Sequence, residues 1–146
     1  MAPAIAGIMD KVFDITAFLN PCENSYARLG GNKAPGYISW STQNRSQLIR
    51  IPAAEGDFVR AELRSPDPAA NPYVAFTLLI YAGLEGIEQH MELPESADIN
   101  LFSAPAEVLK KFRKLPVDLA EAKAAAAASG FVNKRLPAEL VALYCS

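Results

Sequence analysis

One stretch constrains the fold of this chain more than any other: "NPYVAFTLLIYAGLEGI", residues 71 to 87. A helix begins at Asn71 with Pro72 at its first position, where a missing N–H costs nothing. Residues 73 to 82 are apolar nearly all round, which predicts a core helix buried on its whole circumference. Gly83 and Gly86 leave room for another element to come close. The apolar run from Tyr73 to Leu84 is shorter than the ~20 residues that span a bilayer. The helix therefore belongs to a globular interior.

Composition allows such an interior. The chain has 146 residues, 51% of them hydrophobic and 21% charged, with a formal net charge of −2. That describes one globular domain and excludes a disordered tail. A chain of this length buries about 68–70% of the surface its unfolded form exposes. The near-neutral balance supplies no broad field for nucleic acid or an anionic membrane. The cluster "KKFRK", Lys110 to Lys114, reads as a solvated helix end whose cations suit the C-terminal dipole. Cys22 and Cys145 lie near opposite ends without metal or redox spacing, and read as reduced thiols. "MAPAIAGIMDK" lacks the basic start of a secretory signal, so the expected compartment is the cytoplasm.

Elsewhere the pattern divides clearly. Ile5, Ile8, Val12, Ile15 and Leu19 recur at helical spacing, predicting a helix over 4–19 that Asn20-Pro21 ends. "NSYARLGGNKAPG", 24 to 36, is a Gly-, Asn- and Pro-rich loop of the kind that wraps a ligand. "YISWS" (37–41), "QLIRIP" (47–52) and "FVRAELRS" (58–65) read as three short strands, most simply an antiparallel meander. "ELPESADINLFS" reads as a loop and "PAEVLKKFRK" as a short amphipathic helix. "DLAEAKAAAAAS" is an alanine-rich helix capped at Asp118, and "PAELVALY" a last helix starting at Pro137. No repeat and no domain boundary is visible. The expected class is α+β, with short antiparallel strands at about 37–65 packed with helices.

The chemistry concentrates in "RAELRSPDPAANPY", residues 60 to 73. As a strand, its first half puts Arg60, Glu62 and Arg64 on one face, and cations on either side favour the charged carboxylate. Taken alone, such a row is a partly exposed salt bridge. Three more arginines change the odds: Arg28 in the Gly-rich loop, Arg45 in the turn "TQNRS", and Arg50 in the neighbouring strand. In a meander Arg50 shares a face with the 60/62/64 row. Several guanidiniums around one carboxylate are electrostatically awkward without an anion, and Arg suits bidentate contacts to phosphate and carboxylate. The carboxylate suits a divalent cation such as Mg²⁺, which takes its remaining ligands from phosphates and water. Phosphoryl transfer needs such parts. No Walker-type loop, GxSxG or HExxH is present, and the lone His90 reads as a surface or capping residue.

The words "NSYARL", "APGYISWSTQNRSQLIRIP", "RAELRSPDPAANPYVAF" and "AGLEGI" closely resemble the C-terminal part of the glutamine synthetase catalytic domain, bacterial type I. The likeness continues through "DINLF" and "LPVDLAEA", so residues 1–146 are expected to be a partial catalytic domain. The resemblance implies a ligase that makes glutamine from glutamate, ammonia and ATP through γ-glutamyl phosphate. It implies Mg²⁺ or Mn²⁺ sites between the subunits of a large ring. Glu62 would then be a metal ligand. Arg45 and Arg50 would hold the nucleotide phosphates and the phosphoryl group in transfer, while Arg28 and Arg64 would bind the glutamate carboxylates.

Departures from the family pattern shape the expectation. Lys33, in "RLGGNKAP", stands where the family places a glutamate that closes over the site and helps deprotonate ammonium. A charged lysine cannot be that base and repels ammonium, which counts against standard ammonia chemistry and leaves ammonia or another amine as the acceptor. "EGDFVR" lacks a basic residue that some members place near the nucleotide. The family's N-terminal β-grasp domain, the first part of its catalytic domain with the other metal ligands, and its C-terminal segment have no counterpart in this sequence. Three expectations result. The chain is a ligase piece, inactive alone, that works with its missing half. It is a non-catalytic interaction module or remnant that docks on a full-length ring. Or it is part of a γ-glutamyl-amine ligase using another amine.

Overall fold

The computed structural model describes residues 1–31, 34–52 and 60–146. Helix α1 (Ala2–Leu19) is the centre of the molecule and buries Ile5, Met9, Val12, Ile15, Phe18 and Leu19. It ends at Asn20, which has left helical geometry ahead of Pro21, as the proline demands. Helix α2 (Glu23–Arg28) follows, where the composition suggested only loop. Next come β1 (Trp40–Ser41), β2 (Ile49–Arg50) and β3 (Glu62–Leu63), then helix α3 (Pro72–Glu88). The chain closes with α4 (Ala106–Leu109), α5 (Leu119–Ala128), α6 (Gly130–Arg135) and α7 (Ala138–Cys145). The class is α+β, as expected: a helix-rich body with a small three-stranded sheet.

Asn71 caps α3, its Oδ1 accepting from the Tyr73 and Val74 backbone N–H groups at 3.0 and 3.5 Å. The helix lies antiparallel to α1. Its C-terminal end meets Pro3, Ala4 and Gly7, while the Asp67 N–H just ahead of it donates to the Leu19 carbonyl. Two glycines allow this close approach. A Cβ on Gly7 would lie 2.2 Å from the Ala82 carbonyl oxygen, and one on Gly86 would lie 2.2 Å from that of Pro3. Gly83 is different, because a methyl there would meet Ala4 Cβ at an ordinary 3.6 Å.

The expectation that α3 is buried all round is corrected. Val74, Ala75, Leu78, Ala82, Gly83 and Gly86 face the core. Tyr73 and Phe76, by contrast, are 83% and 63% exposed, and Ile80 is 60% exposed. The apolar circumference demands cover on two sides, and the described residues cover one.

The sheet order is β1-β2-β3. β2 and β3 are antiparallel as expected, with Arg50 opposite Glu62 and Ile49 opposite Leu63. β1 and β2 are parallel, which corrects the simple meander. The reason lies in the residues between them. Ser41 Oγ accepts from the Gln43 and Asn44 N–H groups, and Asn44 Oδ1 accepts from the Ser46 N–H. These side chains bond their own backbone and wind the segment into a compact double turn. The chain thus returns in its original direction.

The C-terminal elements fall close to expectation. Asp118 Oδ1 accepts from the Glu121 N–H at 2.7 Å and caps α5, and α7 starts directly after Pro137. The helix expected in "PAEVLKKFRK" is only α4, and the basic cluster follows its end. α6 was hidden because Ser129-Gly130 reads as a stop. It is instead a fresh start, with Ser129 Oγ accepting from the Val132 N–H. His90 is exposed, just after α3, in the left-handed region at φ 51°.

Candidate active site

The site is assembled from the bottom of the small sheet upward. Cross-strand register sets Arg50 against Glu62, with Nη1 3.3 Å from Oε2. Arg60, two residues before Glu62 and on the same face, reaches Oε1 at 3.5 Å. Glu62 thus pairs with Arg60 along the strand, as alternation predicts, and with Arg50 across it, where the sequence suggested Arg60 and Arg64 as its flanks. The Arg50 Nε is buried and has no hydrogen-bond partner among the described residues.

Arg64 closes the row. Its Nη1 donates to the Arg45 carbonyl, which ties the end of β3 to the turn that carries Arg45. Burial lowers the Arg64 pKa from its ordinary value; Glu62 opposes this, while Arg45 and Arg50 add to it. The exposed Arg45 side chain stands at the rim.

The turn bearing Arg45 is braced by residues that the sequence did not single out. Ser41 Oγ donates to Asp98 Oδ1 at 2.6 Å, and Gln47 Nε2 donates to the Ile99 carbonyl at 2.8 Å. The Leu101 N–H donates to Ser46 Oγ at 2.8 Å. The segment read only as a loop, "ELPESADINLFS", is thus the support for this turn. Its density of Ser, Asp and Asn was the available signal, since such side chains bond nearby backbone.

Arg28 has a different setting. Its Nη2 donates to Asn20 Oδ1 at 3.0 Å and to the Ser65 carbonyl at 2.5 Å, and its Nε lies 4.0 Å from Asp67 Oδ2. It joins the end of α1 to the chain just past Arg64. Here it acts as a strut, adjacent to the row rather than on it. The loop beyond Arg28 closes on itself. Gly30 has φ +81°, and a Cβ on Gly36 would lie 2.7 Å from Gly30 Cα. Lys33 lies outside the described residues, as does most of "EGDFVR".

A cavity of about 280 Å³ lies on the far side of this loop, lined by residues including Tyr26, Gly30, Gly36, Tyr37 and Lys114. It does not include the arginine row. Among the described residues no cluster of three or more His, Cys, Asp or Glu is placed to hold a metal ion. Glu62 can supply one ligand, and Mg²⁺ takes several of its ligands from phosphates and water.

Chemically the row can grip an anion and contribute one carboxylate to a cation. Comparison with known proteins gives the family. A family model described as glutamine synthetase, catalytic domain, matches residues 1–146. Glutamine synthetase from Methanosarcina mazei is 48% identical over 135 residues, which is 90% of this chain and 30% of that protein. The enzyme from Methanocaldococcus jannaschii is 44% identical over 121 residues, 81% of this chain and 27% of its own length. A solved structure described as "GmaS/ADP complex" superposes with a TM-score of 0.83 at 30% identity, over 99% of this chain and 34% of that one. The chain therefore spans about a third or less of each relative.

Proposed function

Because this chain belongs to the glutamine synthetase catalytic-domain family, we propose that it supplies one wall of an ATP-dependent glutamate–amine ligase site. The observation that carries this reading is the Arg50–Glu62 register pair with Arg64 two residues beyond. In this reading Arg45 and Arg50 bind the nucleotide phosphates and the phosphoryl group in transfer, using guanidinium forks that match phosphate oxygens. Arg64 and Arg28 bind the carboxylates of glutamate, which requires Arg28 to leave part of its present bonding. Glu62 contributes one ligand to Mg²⁺ or Mn²⁺, and the rest come from the remainder of a synthetase-type fold. The metal would neutralise phosphate charge.

In the reaction, the glutamate γ-carboxylate attacks the terminal phosphorus of ATP, giving an acyl phosphate and ADP. The amine then attacks the acyl carbon and phosphate leaves. The arginines serve the first step by fixing the reacting groups in line and balancing charge. Lys33 occupies the place of the family's ammonium-handling glutamate, so at that position the chain brings no carboxylate to attract or deprotonate a cationic acceptor. By itself the chain is expected to make no γ-glutamyl product.

The test is a chimera in which this chain replaces the matched segment of the Methanosarcina mazei enzyme, assayed with ammonium and with primary alkylamines. We expect ligase activity, and Glu62→Gln should lower kcat/KM by roughly 100-fold. The same change should cost the chain less than about 1 kcal/mol of stability, because the ion pairs are half-exposed. A chimera that assembles but makes no γ-glutamyl product, or one indifferent to Glu62→Gln, would overturn the reading. Such an inert chimera would favour a non-catalytic module that docks on a synthetase ring.

A further inference from the structure

Along the outer side of α3 runs a stripe of Tyr73, Phe76, Ile80, Leu84 and Ile87, all exposed. Their spacing of three and four residues places them on one helical face. The only charge between Pro72 and Ile87 is Glu85. It turns away from the stripe to pair with Lys11 at 3.1 Å and Arg135 at 3.7 Å. Contiguous apolar surface beyond a few hundred Å² on a soluble protein marks a contact site.

We infer that this α3 face is the seam on which the larger, preceding portion of a synthetase-type fold packs, whether that portion is in the same polypeptide or another. Coverage supports this occupant. This chain overlays 34% of the solved neighbour with a TM-score of 0.83. It matches 30% of the Methanosarcina mazei enzyme, within that enzyme's C-terminal region. The same helix thus sits in chains about three times as long, with ample surface to cover both of its faces. The stripe's chemistry is that of an interior seam, with aromatic and aliphatic residues and no charge. A second copy fits less well. A 17-residue helix is only about 25 Å long, and one stripe of it falls short of the roughly 800 Å² per partner of a standard interface.

The inference rests on the ligase reading for its choice of occupant, so its test reads binding rather than turnover. The 146-residue chain is co-expressed with the tagged portion of the Methanosarcina mazei enzyme that precedes the matched segment, and the complex is measured by co-purification and sedimentation velocity. We expect a 1:1 complex that Phe76→Glu or Ile80→Glu weakens at least 100-fold. Leu143→Glu, on exposed α7 surface, should leave it intact. Both α3 residues are exposed, so the variants should keep the wild-type far-UV spectrum and cooperative melt. Absence of a complex, or one indifferent to both α3 charges, would overturn the seam. So would a homodimer of the chain alone that Phe76→Glu dissociates, since the occupant would then be a second copy. A complex that forms through α3 but produces no ligase activity leaves the seam standing and counts against the ligase reading alone.

Discussion

Tyr26 shows how a single side chain can carry strain that no sequence pattern reveals. It is 7% exposed, and its hydroxyl has no hydrogen-bond partner among the described residues. Burial first, and the Asp118 charge second, raise its pKa above the ordinary 10.0. The unfolded chain therefore loses this proton near pH 10, while the folded one keeps it. Stability from this group is complete below about pH 10 and falls as pH rises from there toward the folded value. Tyr26→Phe should remove that alkaline loss. Near neutral pH it should be neutral or stabilising by up to about 1 kcal/mol, because it deletes an unpaired buried hydroxyl. Urea unfolding at neutral pH and at about pH 11 measures both; a marked loss of stability in the variant at neutral pH would mean the hydroxyl is bonded after all. At the same scale, the Arg–Glu–Arg alternation was legible in the sequence because strand geometry has a strict period of two. The capture of Arg28 by Asn20 and Ser65 was not, since those partners lie 8 and 37 residues away.

At the scale of elements, the α1–α3 contact separates three glycines by role. Gly7→Ala and Gly86→Ala each force a methyl against backbone oxygen at 2.2 Å. Either should cost about 1–3 kcal/mol, as overpacking does when the backbone must shift. Gly83→Ala adds a methyl in ordinary contact and should stabilise by about 0.5–1 kcal/mol, the usual gain for replacing a mid-helix glycine. Urea midpoints of the three variants decide the matter; equal effects at positions 83 and 86 would sink the assignment. The helices α1, α3 and α7 were foreseen from periodicity and prolines, both local signals. The parallel pairing of β1 with β2 was not. It depends on a double turn braced by Asp98 and the Ile99 carbonyl, more than fifty residues along the chain.

The molecule as a whole is held by what gathers around α1. Phe18 is fully buried, and its ring centroid lies 4.9 Å from that of Tyr144 on α7. It therefore links the first helix to the last. Phe18→Ala should cost about 3–5 kcal/mol. That is a large share of the roughly 5–15 kcal/mol available to a domain of this kind. A shift of the urea midpoint corresponding to less than about 1 kcal/mol would show that α7 is not tied down through this pair. No helix among the described residues is long and apolar enough to cross a membrane. Buried apolar residues gather in this core, and the described residues leave one apolar face of α3 exposed.

By itself the sequence determined the helices with strong periodicity, the caps at Asn71 and Asp118, the α+β class and the arginine–carboxylate row. Each of these depends on residues within one or two turns of each other, so the information is local. Only the tertiary structure decided which face of α3 stays uncovered, which glycine lets two backbones touch, and how β1 and β2 run. It also decided that Arg28 acts as a strut in this chain. Those outcomes depend on partners distant in sequence. An apolar residue states that it needs cover without stating what provides it. For α3, one side is covered by α1, and the described residues leave the other exposed.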